Sequence, residues 1–264
     1  MSRIVKKIYK KLFKPTSRMT PYACAVCDSK NISFNRMPDK YLRQFDNAGF
    51  EHSIFLFETL NILEYACSNC GSPDRDRLYA IFLNALFGDV RLDAYKVLDI
   101  APTKNLSDFF LRHLSKENYR TADLFMEGVD DKVDLQNMDI YSDDQWDLII
   151  CSHVLEHVED DQKALKEIYR VLKPGGKAII MAPINLGLDK SVEADVDKNY
   201  SELERWRHFG QEDHMRLYSK KDFIERIESA GFNLKQLDIS HFGKQVYSTQ
   251  GLNERSVLYI GEKL

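Results

Sequence analysis

Val97-Leu98-Asp99-Ile100-Ala101, Asp147-Leu148-Ile149-Ile150-Cys151 and Lys177-Ala178-Ile179-Ile180-Met181-Ala182 are short apolar runs separated by stretches of helical spacing. Runs of this length, apolar on both faces, suit strands covered from both sides. A helix near 106–115 follows the first run, and a strand at about 118–122 ends at Asp123. Helix 161–172 follows the second run with Leu165, Ile168 and Leu172 inward, and Pro174-Gly175-Gly176 turns the chain into the third. Further on, Ser219 and Asp222 read as a capping box for helix 220–230, whose apolar face is Phe223, Ile224 and Ile227 and whose stop is Gly231. Segments 233–239 and 256–261 read as the last strands. Strand–helix alternation of this kind predicts an α/β fold, a doubly wound Rossmann-like sheet that binds ligands at the carboxyl ends of its strands.

Upstream, Leu78, Ile81, Phe82, Ala85 and Leu86 mark one face of a helix stopped by Gly88. Before it stand two C-x-x-C pairs, Cys24/Cys27 and Cys67/Cys70, with 39 residues between them. Four thiolates in two tight turns are the ligand set of a closed tetrahedral zinc site, which predicts a structural zinc in a small ribbon-like subdomain. Cys151 lies in an apolar strand and reads as packing. Arg75 and Arg77, just after the second pair, could present guanidinium forks to a phosphate at a helix start. The expected organisation is a basic tail over 1–18, a zinc-binding subdomain over 19–75 and the α/β domain over 76–264.

The chain has 264 residues with 37 basic and 41 acidic side chains. Residues 1–18 hold seven of the basic residues and no acidic ones, leaving 30 against 41 in the rest. So acidic a body argues against DNA as a partner. No apolar run is long enough for a membrane helix, and no apolar stretch follows the basic start as in a secretory signal. A cytoplasmic protein is expected. Residues 1–14, with Ile4, Val5, Ile8 and Leu12 at helical spacing among lysines, could touch the inner face of a membrane.

From Val97 onward the order of features resembles that of class I S-adenosylmethionine-dependent methyltransferases of the small-molecule type. The resemblance runs through Val97–Ala101, Asp123, Asp134-Leu135, Trp146-Asp147, Leu155-Glu156-His157-Val158 and Arg170-Val171-Leu172-Lys173-Pro174-Gly175-Gly176. It implies that Asp123 accepts from both ribose hydroxyls, that Asp134 meets the adenine amino group and the Leu135 amide the ring, and that Asp99 lies beneath the methionine moiety. Ser152 and His153 would border the methyl donor. The family's glycine-rich loop is replaced here by Ala101-Pro102-Thr103-Lys104-Asn105. Pro102 removes an amide donor and Thr103 adds bulk, while Lys104 could compensate by pairing with the cofactor carboxylate. Such loops resemble those of methyltransferases that carry zinc knuckles and serve bacterial surface-polysaccharide biosynthesis.

Arg207-His208-Phe209-Gly210-Gln211-Glu212-Asp213-His214-Met215-Arg216-Leu217-Tyr218 reads as an acceptor-binding lid, and resembles a stretch of the same enzymes. His214, held by Asp213 or a nearby carboxylate, is the first candidate for a base that takes a hydroxyl proton, and His157 the second. His208, Gln211 and Arg216 are expected to contact the acceptor. The leading expectation is O-methylation of a sugar or sugar nucleotide in surface-polysaccharide synthesis. Two alternatives stand beside it: an RNA base methyltransferase, and a catalytically inactive zinc-containing binding module.

Overall fold

The computed structural model describes residues 20–195 and 197–264; the basic tail expected over 1–18 lies outside them. The cysteine pairs sit on two small antiparallel ladders, Ala23–Cys24 with Ser29–Lys30 and Phe34–Asn35 with Ala66–Cys67. Between the pairs runs helix α1 (Asp39–Ala48), ended by Gly49 in the left-handed conformation. Helix α2 (Asp74–Asp89) follows the second pair at once. It crosses the expected boundary at residues 75/76.

Helix α2 is buried on more sides than an amphipathic reading allows. Leu78, Tyr79, Ala80, Leu83 and Phe87 are buried, Ala85 is exposed, and Gly88 lies inside the helix rather than stopping it. The cause is a double contact: Cys24, Val26 and Cys67 on one side and the α/β sheet on the other belong to one continuous core. A segment of this size could not sustain a core of its own, and it shares the larger one.

The α/β body runs β1 (Val97–Ile100), α3 (Lys104–His113), β2 (Tyr119–Asp123), β3 (Asp131–Lys132), β4 (Trp146–Ser152), α4 (Asp161–Val171), β5 (Leu172–Met181), α5 (Glu202–Phe209), α6 (Lys220–Ser229), β6 (Asn233–Leu237) and β7 (Leu258–Glu262). The sheet order is β6-β7-β5-β4-β1-β2-β3, with β7 antiparallel to both its neighbours and the other pairs parallel. The chain order reverses between β1 and β4, so the crevice at their carboxyl ends is the switch point where such sheets bind ligands.

Two local expectations change. Pro174-Gly175-Gly176 is an irregularity within β5, where pairing jumps from Trp146–Leu172 to Leu148–Lys177. Gly175 takes φ +78° there, and its N–H donates to Lys263 O across 2.7 Å. At α6 Ser219 does cap the Asp222 N–H, but the Asp222 carboxylate turns away to accept from Ser191 N at 2.6 Å, so the reciprocal half of the box is absent. Among the described residues no helix is long and apolar enough to cross a membrane.

Candidate active site

At the switch point the backbone is bent. Ala101, after β1, has φ +53°, and His153, after β4, has φ +58°. Left-handed backbone at residues bearing a Cβ is strained, and such strain collects where a ligand must be approached closely. Ala101 therefore adopts without glycine a conformation that glycine would reach at no steric cost. The Ala101 N–H is tied to Ala122 O at 2.9 Å, which holds the bend open beside β2.

A cleft of about 460 Å³ opens there, lined by Ala101, Asp123, Asp134, Leu135, His153 and His157 among others. Asp123 Oδ1 accepts from the amides of Phe125 and Met126 at 2.7 and 2.6 Å, which fixes the carboxylate at the end of β2. Its Oδ2 has no hydrogen-bond partner among the described residues. Asp134 is fixed in the same manner by Gln136, whose backbone N–H lies 2.8 Å from Oδ1. Two carboxylates each with a held oxygen and a free one, lining one cleft together with Ile100, Val133 and Leu135, fit a nucleoside that offers hydroxyl and amino donors.

Three expected cofactor residues sit differently, while Asp99 is 1% exposed and accepts from the Tyr119 hydroxyl at 2.7 Å, compatible with the place beneath the ligand expected for it. Burial pushes its carboxyl up to about 7, with the Tyr119 bond opposing. Thr103 caps α3 and donates to the buried Asp76 at 3.3 Å. The Ser152 hydroxyl is engaged with Tyr79 at 2.8 Å. Lys104 is exposed on the first turn of α3 and pairs with Asp108 four residues on, so it does not reach the cleft.

A second cavity, of about 360 Å³, adjoins the first and shares His153 and His157 with it. Its walls are the rings of Tyr41, Phe45, Phe57, Tyr65, Trp206 and Phe209, and its polar groups include Arg75, Glu156, Gln211 and His214. Helix α1 and helix α5 make much of the wall together. Phe45 meets Trp206 edge-on at 5.4 Å between centroids, Arg207 donates to Ala48 O at 3.1 Å, and His208 pairs with Glu51 at 2.9 Å. His208 thus fastens the wall from outside and does not line the cavity.

Two expected acceptor contacts are structural. Arg77 is wholly buried, donating to the carbonyls of Glu64, Tyr65, Ser72, Gln250 and Gly251. No phosphate can reach it. Arg216 is likewise buried, donating to the carbonyls of Leu155, Val158 and Glu159, and so straps the lid to the loop after β4. Arg75 does face the cavity, with Asp76 3.9 Å away as its ion-pair partner. Gln211 lines it too.

The histidines are arranged in an order the sequence did not suggest. Asp213 holds His157, at 3.1 Å from Nδ1, rather than His214. His214 is 5% exposed, and its Nδ1 lies 3.1 Å from Phe209 O. Burial lowers the His214 pKa; burial, then the Arg75 charge, push His153 down to about 4, so both rings are neutral near pH 7. Between the rings stands Glu156, wholly buried, which sequence reasoning passed over although it sits in the Leu155–Val158 segment quoted above.

The four cysteine sulfurs lie within 4.8 Å of one another, with Cys24–Cys70 at 3.8 Å and Cys27–Cys67 at 4.0 Å. A tetrahedron with zinc–sulfur bonds of about 2.3 Å requires sulfurs about 3.8 Å apart. The spacing fits a closed zinc site, and the Asn69 N–H and side-chain amide point at Cys67 and Cys27 as supporting donors.

A family model described as a methyltransferase domain matches residues 74–237. A thiol S-methyltransferase of Rattus norvegicus is 27% identical over 143 residues, 54% of each chain. A ubiquinone/menaquinone biosynthesis C-methyltransferase of Hydrogenovibrio crunogenus is 49% identical over 41 residues, 16% of each chain. The chain thus spans about half the length, or less, of these curated relatives. Among solved structures, a SAM-dependent methyltransferase from Archaeoglobus fulgidus aligns with a TM-score of 0.44 at 14% identity, covering 71% of this chain and 94% of that one.

Proposed function

Since this chain belongs to the methyltransferase-domain family, matched over residues 74–237, we propose that it transfers a methyl group from S-adenosylmethionine to a hydroxyl of a sugar or sugar nucleotide. The observation that carries the reading is the shared wall: His153 and His157 line both the nucleoside-like cleft and the aromatic cavity. Two ligands bound there would meet at these residues, as transfer between them requires.

When bound, S-adenosylmethionine supplies an electrophilic methyl on a sulfonium sulfur. Asp123 would hold its ribose through the free Oδ2, and Asp134 and Leu135 its base. In the neighbouring cavity, rings such as Tyr41, Tyr65 and Trp206 offer faces to the C–H surfaces of a sugar, while Arg75 and Gln211 supply donors for its hydroxyls or a phosphate. What supports oxygen as the acceptor, although the relatives are named for sulfur and carbon, is the group of Glu156, His157 and His214 at the cavity wall. A sugar hydroxyl must lose a proton to become a nucleophile, and an imidazole lone pair serves that need. Asp213 orients His157 and the Phe209 carbonyl orients His214, so the proton leaves at this cluster. The four cysteines would hold zinc as a structural ion that fixes α2, and with it Arg75, against the cavity.

Calorimetric titration with S-adenosylhomocysteine tests the cleft assignment. Asp123→Ala should weaken binding by about 1.5–3 kcal/mol, the range for hydrogen bonds to a charged group, which is roughly tenfold to a hundredfold. A folded variant that binds as the wild type does would remove Asp123 from the site.

A further inference from the structure

Glu156 presents a physical problem that the methyl-transfer reading does not resolve. Its carboxylate is 0% exposed, and neither oxygen has a hydrogen-bond partner among the described residues. His153 Nδ1 approaches Oε1 to 3.3 Å, but without the alignment of a hydrogen bond. Buried carboxylates are normally supplied with donors, and a bare one in the interior is among the most costly groups a fold can keep.

The neighbours of Glu156 are prepared in a specific way. One ligand atom from each of Glu156, His157 and His214 lies within 4.8 Å of the others. The two rings stand perpendicular at 4.7 Å between centroids. Each has Nδ1 committed elsewhere, His157 to the Asp213 carboxylate and His214 to the Phe209 carbonyl, both at 3.1 Å. A neutral ring whose Nδ1–H donates keeps the lone pair on Nε2, and that is how proteins orient histidines that ligate metals.

We propose that Glu156, His157 and His214 bind a divalent first-row transition cation at the wall of the acceptor cavity. Two imidazole nitrogens and one carboxylate oxygen favour manganese, iron, cobalt, nickel or zinc over magnesium or calcium, which seek oxygen ligands. The ion would satisfy the orphaned carboxylate. All three ligands line the cavity, so the remaining coordination position faces the acceptor. This contrasts with the four-cysteine site, which is closed by its own ligands. The inference deepens the methyl-transfer reading: with both Nε2 lone pairs on the ion, the cation would take over from the imidazoles the activation of the acceptor hydroxyl, lowering its pKa so that the proton leaves to solvent; only that role rests on the reading, and binding of the ion does not.

The test uses the full chain with zinc already in its cysteines, without cofactor or acceptor. Mn²⁺ is followed by loss of the free-ion electron paramagnetic resonance signal, and Zn²⁺ by equilibrium dialysis. The expected result is one further equivalent per chain for at least one of the two ions. Affinity should fall at least tenfold in Glu156→Gln and in His157→Gln, and stay unchanged in His241→Gln, a surface histidine. Titration of the same variants with S-adenosylhomocysteine shows whether they are folded and tests the cofactor reading separately. Should Glu156→Gln fail to fold, His157→Gln decides, because His157 is only half-buried at the cavity. A wild type that takes up neither ion, or folded variants that bind as the wild type does, would overturn the proposal and leave methyl transfer standing.

Discussion

Replacing Arg77 by methionine separates a structural guanidinium from a ligand-binding one. The side chain is 0% exposed and reaches five main-chain carbonyls from three parts of the chain. The acceptors are Glu64 and Tyr65 before the second cysteine pair, Ser72 just after it, and Gln250 and Gly251 near the carboxyl terminus. Its plane also lies over Phe34, 4.0 Å from the ring centroid. Methionine keeps most of the apolar volume but leaves the carbonyls with no donor. A charge-assisted bond contributes about 1.5–3 kcal/mol and a stranded buried acceptor costs about 1–3 kcal/mol. Five bonds from one group do not add, so the loss should be about 4–5 kcal/mol, the upper end for a single substitution. At about 2–4 °C per kcal/mol for a chain of this size, the thermal midpoint should drop by about 8–20 °C. Circular dichroism melts read this directly. Arg75→Met is the comparison: its ion pair is loose at 3.9 Å but faces the buried Asp76, so its midpoint should fall by less than that of Arg77→Met, while the acceptor Michaelis constant rises. An Arg77→Met protein that melts near the wild type yet loses acceptor binding would refute the argument and return Arg77 to the ligand.

Two other outcomes follow from buried groups. Cys67→Ser should lose zinc and loosen residues 23–73, since a missing thiolate opens a site coupled to folding; metal analysis and hydrogen exchange check this, and a protein that never contained zinc would contradict it. Asp99, pushed by burial up to about 7, keeps a proton in the fold that the unfolded chain releases near its ordinary value of about 3.9. Folded protein binds the extra proton between those limits, so stability should fall as pH rises from about 4 to 7. Asp99→Asn should flatten that slope in urea titrations of the cofactor-free protein, and an unchanged slope would place the coupling elsewhere.

The strands of the α/β body were legible because parallel strands covered on both faces are largely apolar, as Leu148–Cys151 is throughout and Val97–Ile100 is but for Asp99. The clustering of the four cysteines was legible because chelation from a tight turn demands close spacing. Pairings across the chain were not. Arg77 has the local look of a phosphate fork, and only Gln250 and Gly251, more than 170 residues away, give it another role. Arg216 likewise depends on carbonyls that β4 delivers from Leu155, Val158 and Glu159. The cavity wall was hidden for the same reason. Phe45 in a stretch of weak periodicity acquires its meaning from Trp206. Asp213 stands beside His214 in sequence but serves His157 in space, because His214 turns inward to Phe209. Glu156 was visible as a residue and invisible as a buried carboxylate without donors.

The central claim is that the aromatic cavity receives a sugar hydroxyl and the neighbouring cleft the methyl donor. Incubating the full chain with S-adenosylmethionine labelled in its methyl group and a panel of nucleotide sugars, followed by mass spectrometry, tests it most directly. The account predicts a labelled methyl ether on one of the sugars, lost with Asp123→Ala and reduced with Trp206→Ala. Labelled methyl recovered on a thiol or a carbon acceptor, with every sugar left unmodified, would contradict it.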